Sequence, residues 1–96
     1  MITRIEAPEH AGLRDQAHAL TDTLDADLRD AVVSLDCRGL LVGTPSFLDE
    51  IVKQVLVERH AQSLCVQGAS ERVQHLLERA ATNRHVADRL SFAVLS

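Results

Sequence analysis

Short apolar runs that alternate with stretches of helical period predict a layered α/β domain, with a mostly parallel central sheet of about four strands flanked by helices. Three observations carry this. Ala31-Val32-Val33-Ser34-Leu35 and Ser63-Leu64-Cys65-Val66 are strand-length apolar runs. Between and after them, Phe47, Leu48, Ile51, Val52, Val55 and Leu56, then Val73, Leu76, Leu77, Ala80 and Ala81, recur at the spacing of one helix face. No repeat, linker or low-complexity segment interrupts the 96 residues, so the chain reads as a single small domain over residues 1–96.

Each element follows from its residues. Ile2 to Ile5 alternates apolar and polar side chains, a strand that Pro8 breaks. Leu13, Ala17, Leu20 and Leu24 mark the stripe of a first helix, and Asp25 to Asp30 is a charged connection. Ala31 to Leu35 is continuously apolar enough for a central strand covered on both faces. Thr44 is a good N-cap, Pro45 suits the first helical position, and the second helix then runs from Ser46 with its apolar face as above. On another side Ser46, Asp49, Glu50 and Lys53 form a polar ridge that is expected to be exposed. After Ser63–Val66, Gly68 marks the strand exit, Ser70 caps a third helix and Asn83 is its natural stop. Arg84 to Leu90 reads as a short helix or turn and Ser91 to Leu95 as a terminal strand.

Composition narrows the function. Aromatic residues make up 2% of the chain and the net charge is -4, which argues against base stacking and phosphate-backbone binding, so no nucleic-acid partner is expected. No apolar stretch has membrane-spanning length, and Met1 to Glu6 lacks the pattern of a signal peptide, which makes the cytoplasm the default expectation. Cys37 and Cys65 lie in or beside apolar strands without a Cys-x-x-Cys spacing, as small core hydrophobes do. His10, His18, His60, His75 and His85 include no pair at i, i+4, and neither a metal nor a cofactor is expected. No phosphate loop, nucleophile elbow or Cys-His arrangement is visible, and the chain is not read as an enzyme.

The chemistry concentrates where Val32 to Asp36 leads through Gly39-Leu40-Leu41-Val42-Gly43 into Thr44-Pro45-Ser46-Phe47-Leu48-Asp49-Glu50. A strand here delivers a serine to a helix start, where free amides and the positive end of the macrodipole favour an anion, including a phosphoryl group on Ser46. Asp36, at a strand carboxyl end, is expected to hydrogen-bond the Gly39–Gly43 loop. Leu40, Leu41 and Val42 either tuck beneath the second helix or present an apolar patch to a partner.

These residues resemble the STAS domain, the sulfate transporter and anti-sigma factor antagonist family, and more closely its STAS-like variants with a Ser-Phe-x-Asp-Glu helix start. The resemblance rests on Val33-Ser34-Leu35-Asp36 and Ser46-Phe47-Leu48-Asp49-Glu50. It implies that Ser46 is the phosphoacceptor and that Gly43, Thr44, Ser46, Phe47, Asp49, Glu50 and Lys53 contact a protein partner. The chain departs from regulatory members in carrying Thr44, Pro45 and Phe47 around the serine. The family's N-terminal strand pair is expected here as one strand only. What the resemblance implies is a non-enzymatic, partner-switching regulator that binds a kinase-like anti-sigma factor. The alternative is an accessory subunit docked permanently on an ATPase such as a lipid-transport complex. A homodimer is also allowed, and a thiol chemistry at Cys37 is the reading from a different class.

Overall fold

The structure is a computed structural model and describes residues 2–93. Strands β1 (Ile2–Glu6), β3 (Val32–Asp36), β5 (Ser63–Gln67) and β6 (Leu90–Ala93) form one four-stranded sheet in the order β1-β3-β5-β6. Every neighbouring pair in it is parallel. The predicted layered α/β class is therefore the observed one. Helices α1 (Arg14–Thr21), α2 (Pro45–Val52) and α3 (Glu71–Asn83) connect successive strands. Strands added in one direction through right-handed crossovers put all the helices on the same face of the sheet. In keeping with this, α2 packs against α1 on one side and α3 on the other.

The core fills the space between the sheet and this single helical layer. Val33 and Leu35 of β3 stand in register with Leu64 and Val66 of β5, and beneath them lie Phe47, Leu48, Ile51, Val52, Val55, Leu56 and Leu77. All of these side chains are buried. Ile5 of β1 and Ala17 of α1 close the near end, and Val73, Ala80 and Ala81 of α3 the far end.

Four sequence expectations change. β3 is central, but helices cover only one of its faces: Val32, Ser34 and Asp36 point to the helix-free side, with Ser34 shielded by Gln67, whose Nε2 donates to Ser34 Oγ at 3.1 Å. Two strands, not one, precede α1, because His10–Ala11 (β2) pairs in parallel with Val42–Gly43 (β4) as a separate two-stranded ribbon. Leu13 does not face the core. It occupies the N-cap position of α1 and is 64% exposed, while Gln16 Oε1 accepts from the amides of Gly12 and Leu13. Leu24 is buried, but it lies beyond the end of α1.

The remaining boundaries follow local chemistry. Helix α2 widens into a π-helical turn over Lys53–Glu58, and Arg89 donates to the carbonyl oxygens of Leu56, within that turn, and of Ala61, just past it. His60 ends the turn with φ 57°, a left-handed conformation that costs a residue with a Cβ. Gly68 has φ +70°, and a Cβ there would meet Arg38, so the exit from β5 requires glycine. Ser70 Oγ accepts from the Val73 amide and α3 stops at Asn83, as the sequence predicts. A 3₁₀ turn at Ala87–Arg89 leads into β6, and the predicted strand residues Val94 and Leu95 lie outside the described residues. Phe47 is fully buried under the sheet, so Phe47→Ala is expected to lower the unfolding free energy by about 3–5 kcal/mol. Urea denaturation checks this, and a change below about 1 kcal/mol would contradict the packing described.

Candidate functional site

The helix starts all lie at the carboxyl edge of the sheet, which brings the segments around Gly12, Thr44 and Ser70 to one end of the molecule. There the β1–α1 and β3–α2 connections are zipped together. The amides of Leu41 and Val42 donate to Glu9 O at 2.9 and 3.0 Å, and that of Thr44 donates to Ala11 O at 3.0 Å. Thr44 makes three further hydrogen bonds at the start of α2. Its Oγ1 accepts from the Phe47 amide at 3.2 Å and donates to Gly12 O at 3.1 Å, and its carbonyl accepts from the Leu48 amide. The free donors expected around Ser46 are thus partly consumed by Thr44. Arg72 of α3 donates to Gly43 O at 2.9 Å and fixes the loop from the other side.

Ser46 is exposed, and Pro45 beside it is exposed too. Three large apolar side chains share this end: Leu41 is 72% exposed, Leu13 64% and Val42 51%. Leu40 does tuck in, packing against the core and against Gly43. The apolar loop run therefore divides between the two expectations for it, one residue inward and two outward. Gly43 and Phe47 are buried, so they shape the surface without being available to a partner directly.

The exposed acidic ridge is not found. Glu50 is 2% exposed, Asp49 is half-buried, and Lys53 is half-buried. Both carboxylates point into the flanks of α2, where α1 and α3 supply cations. Arg84 grips Asp49 through two bonds, Nε to Oδ1 at 2.9 Å and Nη2 to Oδ2 at 2.8 Å. Arg14 bridges the pair, reaching Asp49 Oδ2 at 3.1 Å and Glu50 Oε1 at 3.0 Å. Glu50 Oε2 accepts from Gln54 Nε2 at 2.8 Å and lies 3.0 Å from His18 Nε2. Gln54 Oε1 in turn accepts from Arg59 at 2.7 Å.

These contacts set the charges. The Arg84 guanidinium holds the Asp49 carboxyl below the usual carboxylate range, against the cost of burial, with Arg14 helping. For Glu50 burial acts upward, but hydrogen bonds from Gln54 and Arg14 outweigh it and the net direction is down. Asp36 binds neither loop glycine. It pairs with Arg38, whose side chain and backbone amide hold it at about 2. Burial, with the Asp36 charge nearby, pushes the Cys37 thiol up to about 11, which removes the thiolate that a nucleophile needs.

Comparison with protein-family models, with curated proteins and with solved structures found no match to this chain.

Between α2 and α3 an open groove of about 350 Å³ is lined by Ser46, Pro45, Arg14, Asp49, Arg79 and Asn83, with Leu76 and Ala80 at its base. A larger hollow of about 720 Å³ runs along the outer face of α3 and shares Leu76, Arg79 and Asn83 with it. Among the described residues no group of three or more metal-ligating side chains comes together, and no helix is long and apolar enough to cross a membrane. Sequence reasoning missed Arg14, Arg79 and Arg84. Arginines on two other helices carry no periodic signal that links them to Ser46.

Two outcomes are expected here. Asp49 and Glu50 have folded-state values below their ordinary ones, so their stabilisation is complete above about pH 5 and is lost as the pH falls through the folded values. Asp49→Asn should therefore lower stability at neutral pH by about 1–2 kcal/mol and flatten the acid limb of the stability curve, as measured by urea unfolding between about pH 7 and pH 3. An unchanged acid limb would contradict the pairing. Cys37 should resist alkylation in the native protein at neutral pH, and labelling as fast as that of a free thiol would overturn its buried, protonated state.

Proposed function

We propose that the chain is a non-enzymatic interaction module that binds a protein partner through the carboxyl-edge surface around Ser46. The observation that carries this reading is that exposed Leu13, Leu41 and Val42, on segments tied down by backbone bonds, share the end of the molecule where Ser46 is exposed at the start of α2. Exposed aliphatic side chains on a rigid support give a partner apolar area to bury at little ordering cost. Resemblance to the anti-sigma factor antagonists supplies the partner class, a kinase-like anti-sigma factor that phosphorylates Ser46.

A phosphoryl group on Ser46 would add about two negative charges at the edge of this surface. Asp49 and Glu50 are already balanced by Arg14 and Arg84, so repulsion would come from the new charge itself and not from an acidic ridge. The group would also stand at the mouth of the groove that holds Arg14 and Arg79, competing with Asp49 for Arg14. Either effect would change what the partner meets, and a phosphatase would reverse it. Permanent docking on an ATPase would use the same apolar surface without the modification.

The test is affinity capture with wild-type, Ser46→Asp and Leu41→Ser baits, with bound proteins identified by mass spectrometry. A kinase-like protein held by the wild type and lost from both variants is the expected result. Equal capture by the wild type and Ser46→Asp, with loss only from Leu41→Ser, would remove the switch and leave constitutive docking. Equal capture by all baits would refute the surface.

A further inference from the structure

β1 forms one edge of the four-stranded sheet, and among the described residues no strand pairs with its outer side. The Ala7 amide donates to Asp36 O at 2.9 Å, continuing the ladder in which Ile5 faces Leu35 and Glu6 faces Asp36. Because backbone groups alternate in direction along a strand, those of Thr3 and Ile5 also turn toward β3, and those of Arg4 and Glu6 turn outward. An edge with unpaired amides and carbonyls is a template for another strand. Arg4 and Glu6 are both exposed, stand on the same helix-free face of the sheet, and make no ion pair among the described residues.

The geometry points to a homodimer in which β1 pairs antiparallel with β1 of a second copy about a two-fold axis at Ile5. In that register Arg4 faces Glu6 of the second copy and Glu6 faces Arg4 of the second copy. Both pairs fall on the outward-turned residues, so ladder hydrogen bonds and ion pairs form at the same positions. The neighbouring registers of the same phase place Arg4 against Arg4, or Glu6 against Glu6, so charge selects the one centred on Ile5. Such an interface is self-complementary, as a two-fold contact must be. The same axis keeps both helical layers on one side of a continuous sheet. It thereby sets against the second copy the hollow of about 470 Å³ that Ala7, Pro8, Ala19 and Leu20 line beside this edge. Exposed Ile2 lies at the other end of the strand. A second copy is favoured over an unrelated strand because the alternation of charge is complementary to itself.

Light scattering coupled to size-exclusion chromatography, run on the whole chain from micromolar to millimolar concentration, tests this with Arg4→Glu, Glu6→Arg and the double exchange. Each single change replaces two attractive pairs by two repulsive ones and should weaken the dimer by about tenfold or more. Exchanging both residues should restore it. A monomer at every concentration, a dimer that both single changes leave untouched, or a double exchange that does not recover would each overturn the proposal. Circular dichroism of the variants verifies that these exposed substitutions leave the fold in place.

Discussion

Helix α2 lies in the middle of a one-layer stack of helices, and that position constrains everything around it. Its apolar face meets the sheet, so its two flanks must meet α1 and α3, and only a narrow strip is left for solvent. A carboxylate on either flank loses its water and must find a cation. Asp49 finds Arg84 and Arg14, and Glu50 finds Arg14, with the Gln54 amide as a further donor. Arg14 on α1 and Arg84 just past α3 are thereby tied to the same turn of α2. A charged junction of this kind contributes less net stability than its bond count suggests, because desolvation offsets the attraction. Its expected contribution is registry among three short helices.

Much of this arrangement was legible in the residues. The strands at β3 and β5, the apolar face of α2, the Thr44 and Ser70 caps and the stop at Asn83 each depend on local pattern, and local pattern is what a sequence displays. The predicted acidic ridge is absent for a physical reason. Helical periodicity separates one buried face from the rest, but it cannot tell whether the rest meets water or a neighbouring helix, so Glu50 looked exposed and is buried. The β2–β4 ribbon escaped because two-residue strands carry no alternation to detect. In β3, the near-continuous apolar run Ala31 to Leu35 predicts cover on both faces, although Ser34 and Asp36 are the polar residues of a helix-free side.

For function, the consequence is a division of labour between neighbouring residues. Asp49 and Glu50 belong to the scaffold, Gly43 and Phe47 shape the loop and helix start from beneath, and Ser46 with Leu13, Leu41 and Val42 remains at the surface. Thr44 and Arg72 hold that surface still by satisfying the Phe47 amide and the Gly43 carbonyl. In the proposed function a partner would meet this apolar edge beside the Ser46 hydroxyl, and a modification there would change the polarity of the edge without disturbing the core.

The dependence of the helical layer on the Asp49 junction is tested most directly by amide hydrogen exchange on the wild type and Asp49→Asn. Loss of protection in α1 and at the end of α3, with the amides of β3 and β5 unchanged, is the expected pattern. Protection in α1 and α3 that is indifferent to the substitution would contradict the role given to Asp49 and leave apolar packing as the sole organiser of the three helices.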